Sequence, residues 1–199
     1  MNSCLRLINE NDIEQILAIY VPCVTNTPIT FECEVPSLEE FKKRVLSISN
    51  TYPWLVYETN NKVFGYAYAN KLKEREAYRW SVELSVYVDE KHRNKGIARG
   101  LYFSLIEILK IQGFCSSFAG ITLPNQASIA LHESIGFTPI GVYQSVGYKL
   151  GKWHDVGWWE MSVMKRLEAP PAPLALEKIK EFSSFKDALS KGMAHIKNK

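Results

Sequence analysis

The hydrophobic pattern changes period at one point, and that point organises the chain. Through Ser85-Val86-Tyr87-Val88 apolar and polar residues alternate, the spacing of a half-buried strand. From Gly96 onward Ile97, Leu101, Leu105, Ile108 and Leu109 recur at helical spacing, which predicts an amphipathic helix. Between the two lies a short basic loop containing glycine.

The rest of the pattern builds outward from this junction. Ser3 to Leu7 reads as a short strand, and Asn11-Asp12 caps a helix carrying Ile13, Ile16, Leu17 and Tyr20 that Pro22 ends or closes. Val24 to Glu34 is polar and β-branched around Pro28, so a loop or irregular strand is expected. Pro36-Ser37 with Glu39-Glu40 opens a second helix reaching about Ile48. Trp54 to Tyr57 and Val63 to Asn70 form a hairpin about Asn60-Asn61, and Tyr78 to Val88 is the strand feeding the loop. Gly113 closes the long helix. A strand over Ser117 to Thr122 follows, then a helix from Pro124-Asn125 carrying Ile129, Leu131, His132 and Ile135. Val142 to Leu150 and Val156 to Val163 are the last strands, separated by Gly151 to His154. The order βααβββαβαββ predicts an α/β fold whose mixed sheet has a parallel segment beside the loop, with a ligand crevice at the carboxyl end of the central strand.

Past Lys165 the composition changes. Ala169-Pro170-Pro171-Ala172-Pro173 reads as a stiff linker, and Leu174, Leu176, Ile179, Phe182, Phe185, Leu189 and Met193 follow at near-helical spacing among lysines. We therefore expect one domain over residues 1–165 and, over 166–199, a Pro-rich linker with an amphipathic helix. That helix docks on the domain, meets a partner subunit, or lies on a membrane surface.

Composition narrows the function classes. With 199 residues and 46% hydrophobic content the chain can build a real core, and a net charge of +3 gives no argument for nucleic acid or an anionic membrane. Cys4, Cys23, Cys33 and Cys115 show no C-x-x-C and no paired histidine spacing, so no metal site is expected. The start of the chain lacks a charged segment followed by a long apolar run, and no run approaches the roughly 18 apolar residues of a membrane span. The cytoplasm is the expected location.

The chemistry begins at the junction. The first turn of a helix leaves N–H groups unpaired at the positive end of its dipole, which suits a phosphate. Gly96 permits close backbone approach, Ala98 adds little bulk, and Arg93 and Lys95 add charge. Neither G-x-x-x-x-G-K-[ST] nor G-x-G-x-x-G is present.

Arg93-Asn94-Lys95-Gly96-Ile97-Ala98 resembles the Q/R-x-x-G-x-G/A pyrophosphate loop of the GCN5-related N-acetyltransferases (GNAT), which bind acetyl-CoA. Further segments look like the phosphinothricin and methionine sulfone/sulfoximine branch of that family: Thr30-Phe31-Glu32, Tyr52 to Val56, Gly65 to Tyr68, Ala77 to Val88, Asn125 to Glu133, Ile135 to Phe137 and Gly147 to Val156. The resemblance runs from about Leu5 to Val163. It implies a mixed, mostly antiparallel seven-stranded sheet with a central splayed parallel pair, flanked by four helices. The implied activity is acetylation of the amine of a small amino-acid-like substrate by direct transfer from acetyl-CoA, in a homodimer needing no metal, membrane or nucleic acid.

The resemblance also implies roles. Glu83 matches the general base, since a carboxylate desolvated in a cleft can take a proton from an ammonium. His132 stands where most of the family has a tyrosine acid, and is either a proton donor or a structural residue. Val86, Tyr87 and Val88, the loop from Arg93 through Asn94, Lys95, Gly96 and Ile97 to Ala98, Asn125 and Ser134 match cofactor-binding positions. Phe31, Arg75, Tyr78 and Ser85 match the substrate side, where the arginine fork suits an acidic group. Lys149 and Lys152, on the last hairpin, are candidates to reach the pocket from a second subunit. Two alternatives remain: a peptide or protein amine acetyltransferase, or a non-catalytic acyl-CoA sensor.

Overall fold

The computed structural model describes residues 3–197. One seven-stranded sheet in the order β1-β2-β3-β4-β5-β7-β6 forms its centre. The strands are β1 (Ser3–Leu7), β2 (Trp54–Thr59), β3 (Lys62–Lys71), β4 (Ser81–Val88), β5 (Ser116–Leu123), β6 (Thr138–Lys149) and β7 (Lys152–Ser162). Every neighbouring pair is antiparallel except β4 and β5. Helices α1 (Ile13–Asn26) and α2 (Leu38–Ser49) belong to an aromatic-rich core with Trp54 and Tyr66. Helix α3 (Ile97–Gln112) packs with Leu5, Leu55, Ala67, Val82 and Leu84 in the other core, and α4 (Gln126–Ser134) sends Ile129 and Leu131 against it.

Strand β6 begins at Thr138 rather than Val142, and three further elements differ from expectation, each for a local reason. Helix α1 does not stop at Pro22 but runs on to Asn26. Burial of Ile19, Tyr20, Cys23 and Val24 on both sides of the proline outweighs its missing N–H. The Thr25 and Thr27 hydroxyls then donate to the carbonyls of Val21 and Cys23, so the first residues of the expected loop are helical. Strand β4 starts at Ser81, and Glu76–Tyr78 is instead a short 3-10 turn. The last hairpin turns on Leu150-Gly151 alone, both with positive φ (51° and 78°), so Lys152 to His154 are strand. A leucine gives little sign of such a turn.

The C-terminal stretch docks on the domain. Two helices, α5 (Leu176–Ile179) and α6 (Ser183–Met193), bury Leu176, Ile179, Phe185 and Ala188 in the same core as α3. Trp80 Nε1 donates to the Pro171 carbonyl at 2.8 Å, and Leu174 and Gln112 exchange two hydrogen bonds of 2.7 and 3.0 Å. The sequence predicts one apolar face on α3. The structure buries Gly100, Ser104 and Gln112 as well, because a second layer covers that side, while Tyr102 is buried against His132 and Phe137.

Candidate active site

The site forms where two parallel strands part. Strand β4 pairs with β5 only over Ser81, Val82 and Glu83, opposite Ser116, Ser117 and Phe118. Beyond Glu83 the two diverge, while β4 stays paired to β3 as far as Val88. Asp89 N–H donates to the Phe64 carbonyl on β3, so by alternation the backbone groups of Tyr87, Ser85 and Glu83 point to β3. Those of Val86 and Val88 therefore point into the gap. An extended thiol-bearing arm entering there would pair with them as a strand does.

The loop at the far end of β4 supplies an anion cradle. Asn94 and Gly96 adopt left-handed backbone (φ 64° and 81°), which turns the chain sharply into α3. Among the described residues no acceptor meets the N–H groups of Gly96, Ile97, Ala98 or Arg99. Asp89 braces the approach by accepting from Lys91 N–H and by its 2.6 Å contact with His92, whose ring packs 4.0 Å from Phe64. Arg99 donates to Ser134 Oγ at 3.0 Å and ties α3 to the end of α4. Asn125 caps α4 by accepting from Ser128 N–H at 3.1 Å, which leaves its amide free to donate.

Glu83 lies at the fork, half-buried, with Asn70 and Phe118 as its cross-strand neighbours. Burial pushes its carboxyl above the ordinary carboxylate value, and the nearby positive charge of Lys73 offsets part of that rise. No side chain among the described residues pairs with it. Below it Trp54, Tyr66, Tyr68, Tyr87 and Tyr20 stack into an aromatic wall, the Trp54 and Tyr68 rings 4.0 Å apart. Ser85 stands directly across from Tyr68. A cleft of about 300 Å³ lined by Lys73, Phe118, Gly141, Tyr143 and Trp158 adjoins the fork.

His132 is buried, and both ring nitrogens are engaged. Nδ1 donates to the Ser128 carbonyl at 2.7 Å, while Nε2 lies 3.1 Å from the Tyr102 hydroxyl. Desolvation lowers the pKa of His132, so the ring is neutral near pH 7 and Nε2 accepts from Tyr102. Tyr102 is a partner of His132 that the sequence reading did not name. It is buried at 1% exposure, its hydroxyl pKa is raised by desolvation, and it feels the charge of Glu83. The only signal was a polar-tipped aromatic beside the aliphatic stripe of α3.

The residues expected on the substrate side lie on three separate segments. Phe31 is 37% exposed and lies against Gly147, where an added Cβ would come within 2.1 Å of its ring. Its loop is held by the Tyr20 hydroxyl on Thr30 Oγ1 (2.7 Å) and by Lys149 Nζ on the Thr30 carbonyl (2.7 Å). Lys149 is therefore buried and committed within its own chain. Arg75 precedes the 3-10 turn and Tyr78 ends it, both exposed, and the Arg75 guanidinium has no partner among the described residues.

The sheet split beyond Glu83, the anion cradle and the fork carboxylate define an acyl-CoA-dependent transferase. Residues 5–158 match the acetyltransferase (GNAT) domain family, and the chain belongs to it. It is 38% identical over 163 residues to a phosphinothricin N-acetyltransferase of Streptomyces viridochromogenes, covering 82% of this chain and 88% of the relative. It is 33% identical to an L-methionine sulfoximine/L-methionine sulfone acetyltransferase of Pseudomonas paraeruginosa, over 85% of this chain and all of the relative (100%). Among solved structures, a phosphinothricin acetyltransferase from Sinorhizobium meliloti in complex with acetyl-CoA superposes with a TM-score of 0.80 at 32% identity, covering 88% of this chain and 99% of that one.

Proposed function

We propose that the protein acetylates the α-amine of a small amino-acid-like molecule of the phosphinothricin, methionine sulfone or methionine sulfoximine type, with acetyl-CoA as donor. The observation that carries this reading is the unpaired, half-buried Glu83 carboxylate at the point where β4 and β5 separate. Bound acetyl-CoA supplies a thioester carbonyl open to attack by an amine. Val86 and Val88 pair with its extended arm, the Gly96–Arg99 amides with Arg93 and Lys95 hold its phosphates, and the free Asn125 amide donates to it. Glu83 takes the ammonium proton, and its raised pKa brings it closer to the amine's proton affinity than an ordinary carboxylate. Tyr102, paired with His132, is the buried hydroxyl assigned to the leaving thiolate: its O–H turns from His132 Nε2 to the sulfur as the proton is given up, so His132 positions and does not donate.

Arg75 and Tyr78, with Phe31 as a wall, receive the substrate's acidic group. Arg75→Ala is expected to raise the KM of an acidic acceptor about 10- to 100-fold, the worth of a charged hydrogen-bonded pair, with the KM for acetyl-CoA unchanged. Equal losses on neutral and acidic acceptors would remove Arg75 from the pocket.

We also propose a homodimer. Strand β6 is an outer edge, and it and the following turn expose Ile140, Val142, Tyr143, Val146, Tyr148 and Leu150, with Trp153 beyond. A monomer in sedimentation velocity at micromolar concentration would count against it. No helix among the described residues is long and apolar enough to cross a membrane, and the dependence on acetyl-CoA supports action in the cytoplasm.

A further inference from the structure

The C-terminal stretch lies beyond the family match, which ends at residue 158, yet it reaches the one loop that the cofactor reading depends on. Its approach to α3 is built on glycines. A Cβ on Gly100 would lie 2.6 Å from the Gly192 carbonyl oxygen, and one on Gly192 would lie 2.3 Å from the Gly100 carbonyl oxygen and 2.1 Å from Ser104 Oγ. Only a glycine on each helix permits backbones this close. Ser104 Oγ donates to the Ala188 carbonyl at 2.9 Å, so even the polar residue on that seam of α3 is spent on α6. Lys191 adds a 2.7 Å ion pair with Glu107.

Beyond α6 the chain runs towards the N-terminus of α3. The His195 ring stacks on Phe103 at 3.9 Å. A Cβ on Gly96 would lie only 2.1 Å from the His195 carbonyl oxygen. Lys197 N–H then donates to the Lys95 carbonyl at 2.9 Å. These contacts fall on the Cα side of Gly96 and on the carbonyl of Lys95. They take none of the N–H groups of Gly96 to Arg99, which stay open to a ligand.

We infer that the C-terminal stretch from Leu174 to Lys197 is a working part of the acetyl-CoA site, a buttress that holds the Lys95-Gly96 turn from behind in its phosphate-receiving shape. A left-handed Gly96 has many alternative conformations, and the strap removes them before the cofactor arrives. Tail docking and cofactor binding therefore strengthen each other, by linkage in equal measure. His195, Ile196 and Lys197 are positioning residues. This rests on the loop being the phosphate site, and the test below separates the two claims.

The test is calorimetric titration of acetyl-CoA into the full chain and into variants. Lys197→Pro removes the N–H that bonds Lys95, whereas Lys197→Ala keeps it and loses the side chain. A chain ending at Met193 loses the strap and keeps α6. The Pro variant is expected to bind acetyl-CoA about three- to tenfold more weakly, the worth of one backbone hydrogen bond. The shortened chain is expected to do so by about tenfold or more, while the Ala variant stays within about twofold. In each, kcat at saturating acetyl-CoA and the acceptor KM hold. Reciprocally, acetyl-CoA is expected to slow proteolytic clipping after α6. Lys95→Glu reports on the loop. If it weakens acetyl-CoA while Lys197→Pro and the shortened chain do not, the buttress is overturned and the loop stands. If none of them changes affinity, both fall.

Discussion

Glu83→Gln is expected to lower kcat by about 10²- to 10⁴-fold, the range for removing a general base, while acetyl-CoA binds as before. The argument is geometric. Glu83 is the carboxylate at the end of the β4–β5 pairing, it has no partner to lose, and its neighbours Asn70 and Phe118 do not change on substitution. The pH dependence follows from its shifted pKa. A base acts when ionised, so kcat/KM falls as the pH drops through a pKa that burial has raised above the carboxylate norm. Lys73 favours the ionised form, so Lys73→Met is expected to move that acid limb to higher pH. Stopped-flow or steady-state thiol release from pH 5 to 9 reads both effects. A limb untouched by Lys73→Met would mean that another group titrates. Tyr102→Phe, assayed in the same way, is expected to lower kcat about tenfold or more without changing acetyl-CoA affinity.

Gly96→Val is expected to be the most damaging single change in the loop. Its φ of 81° is a conformation that β-branched residues avoid, and its new Cβ would meet the His195 carbonyl oxygen. The two faults together are expected to remove about 3 kcal/mol of stability, roughly 6–12 °C in melting temperature. Acetyl-CoA affinity is expected to fall by about tenfold or more, since the amides proposed to receive phosphate move with the turn. Scanning calorimetry with and without acetyl-CoA measures both. A variant that melts and binds like the wild type would show that neither the turn nor the strap has the importance assigned here.

Much of this was legible in the chain. The switch from alternating Val86 and Val88 to the helical spacing of Ile97, Leu101 and Leu105 located the central strand, the loop and α3, because tertiary contacts there reinforce local preference. Glu83 and the loop could be named from spacing and resemblance, and the structure brings them to opposite ends of one open strand edge. Less was legible where distant residues decide. Pro22 sits inside a helix because residues far along the chain bury its neighbours. His132 was readable as a titrating group, but Tyr102, thirty positions earlier in the chain, takes its Nε2. Gly100 and Gly192 each look ordinary alone. Their meaning lies in facing each other across two helices, a relation that no periodicity records.

The central claim is direct acetyl transfer to the amine of a small amino-acid-like molecule, with Glu83 as the base. The most direct test follows CoA thiol release with phosphinothricin, methionine sulfone, methionine sulfoximine, ordinary amino acids and short peptides as acceptors, for wild type and Glu83→Gln together. The account predicts rapid turnover of one or more of the first three, little on peptides, and a steep loss in Glu83→Gln. Tight acetyl-CoA binding with no turnover on any amine would contradict it and leave a protein that binds the acyl carrier without using it.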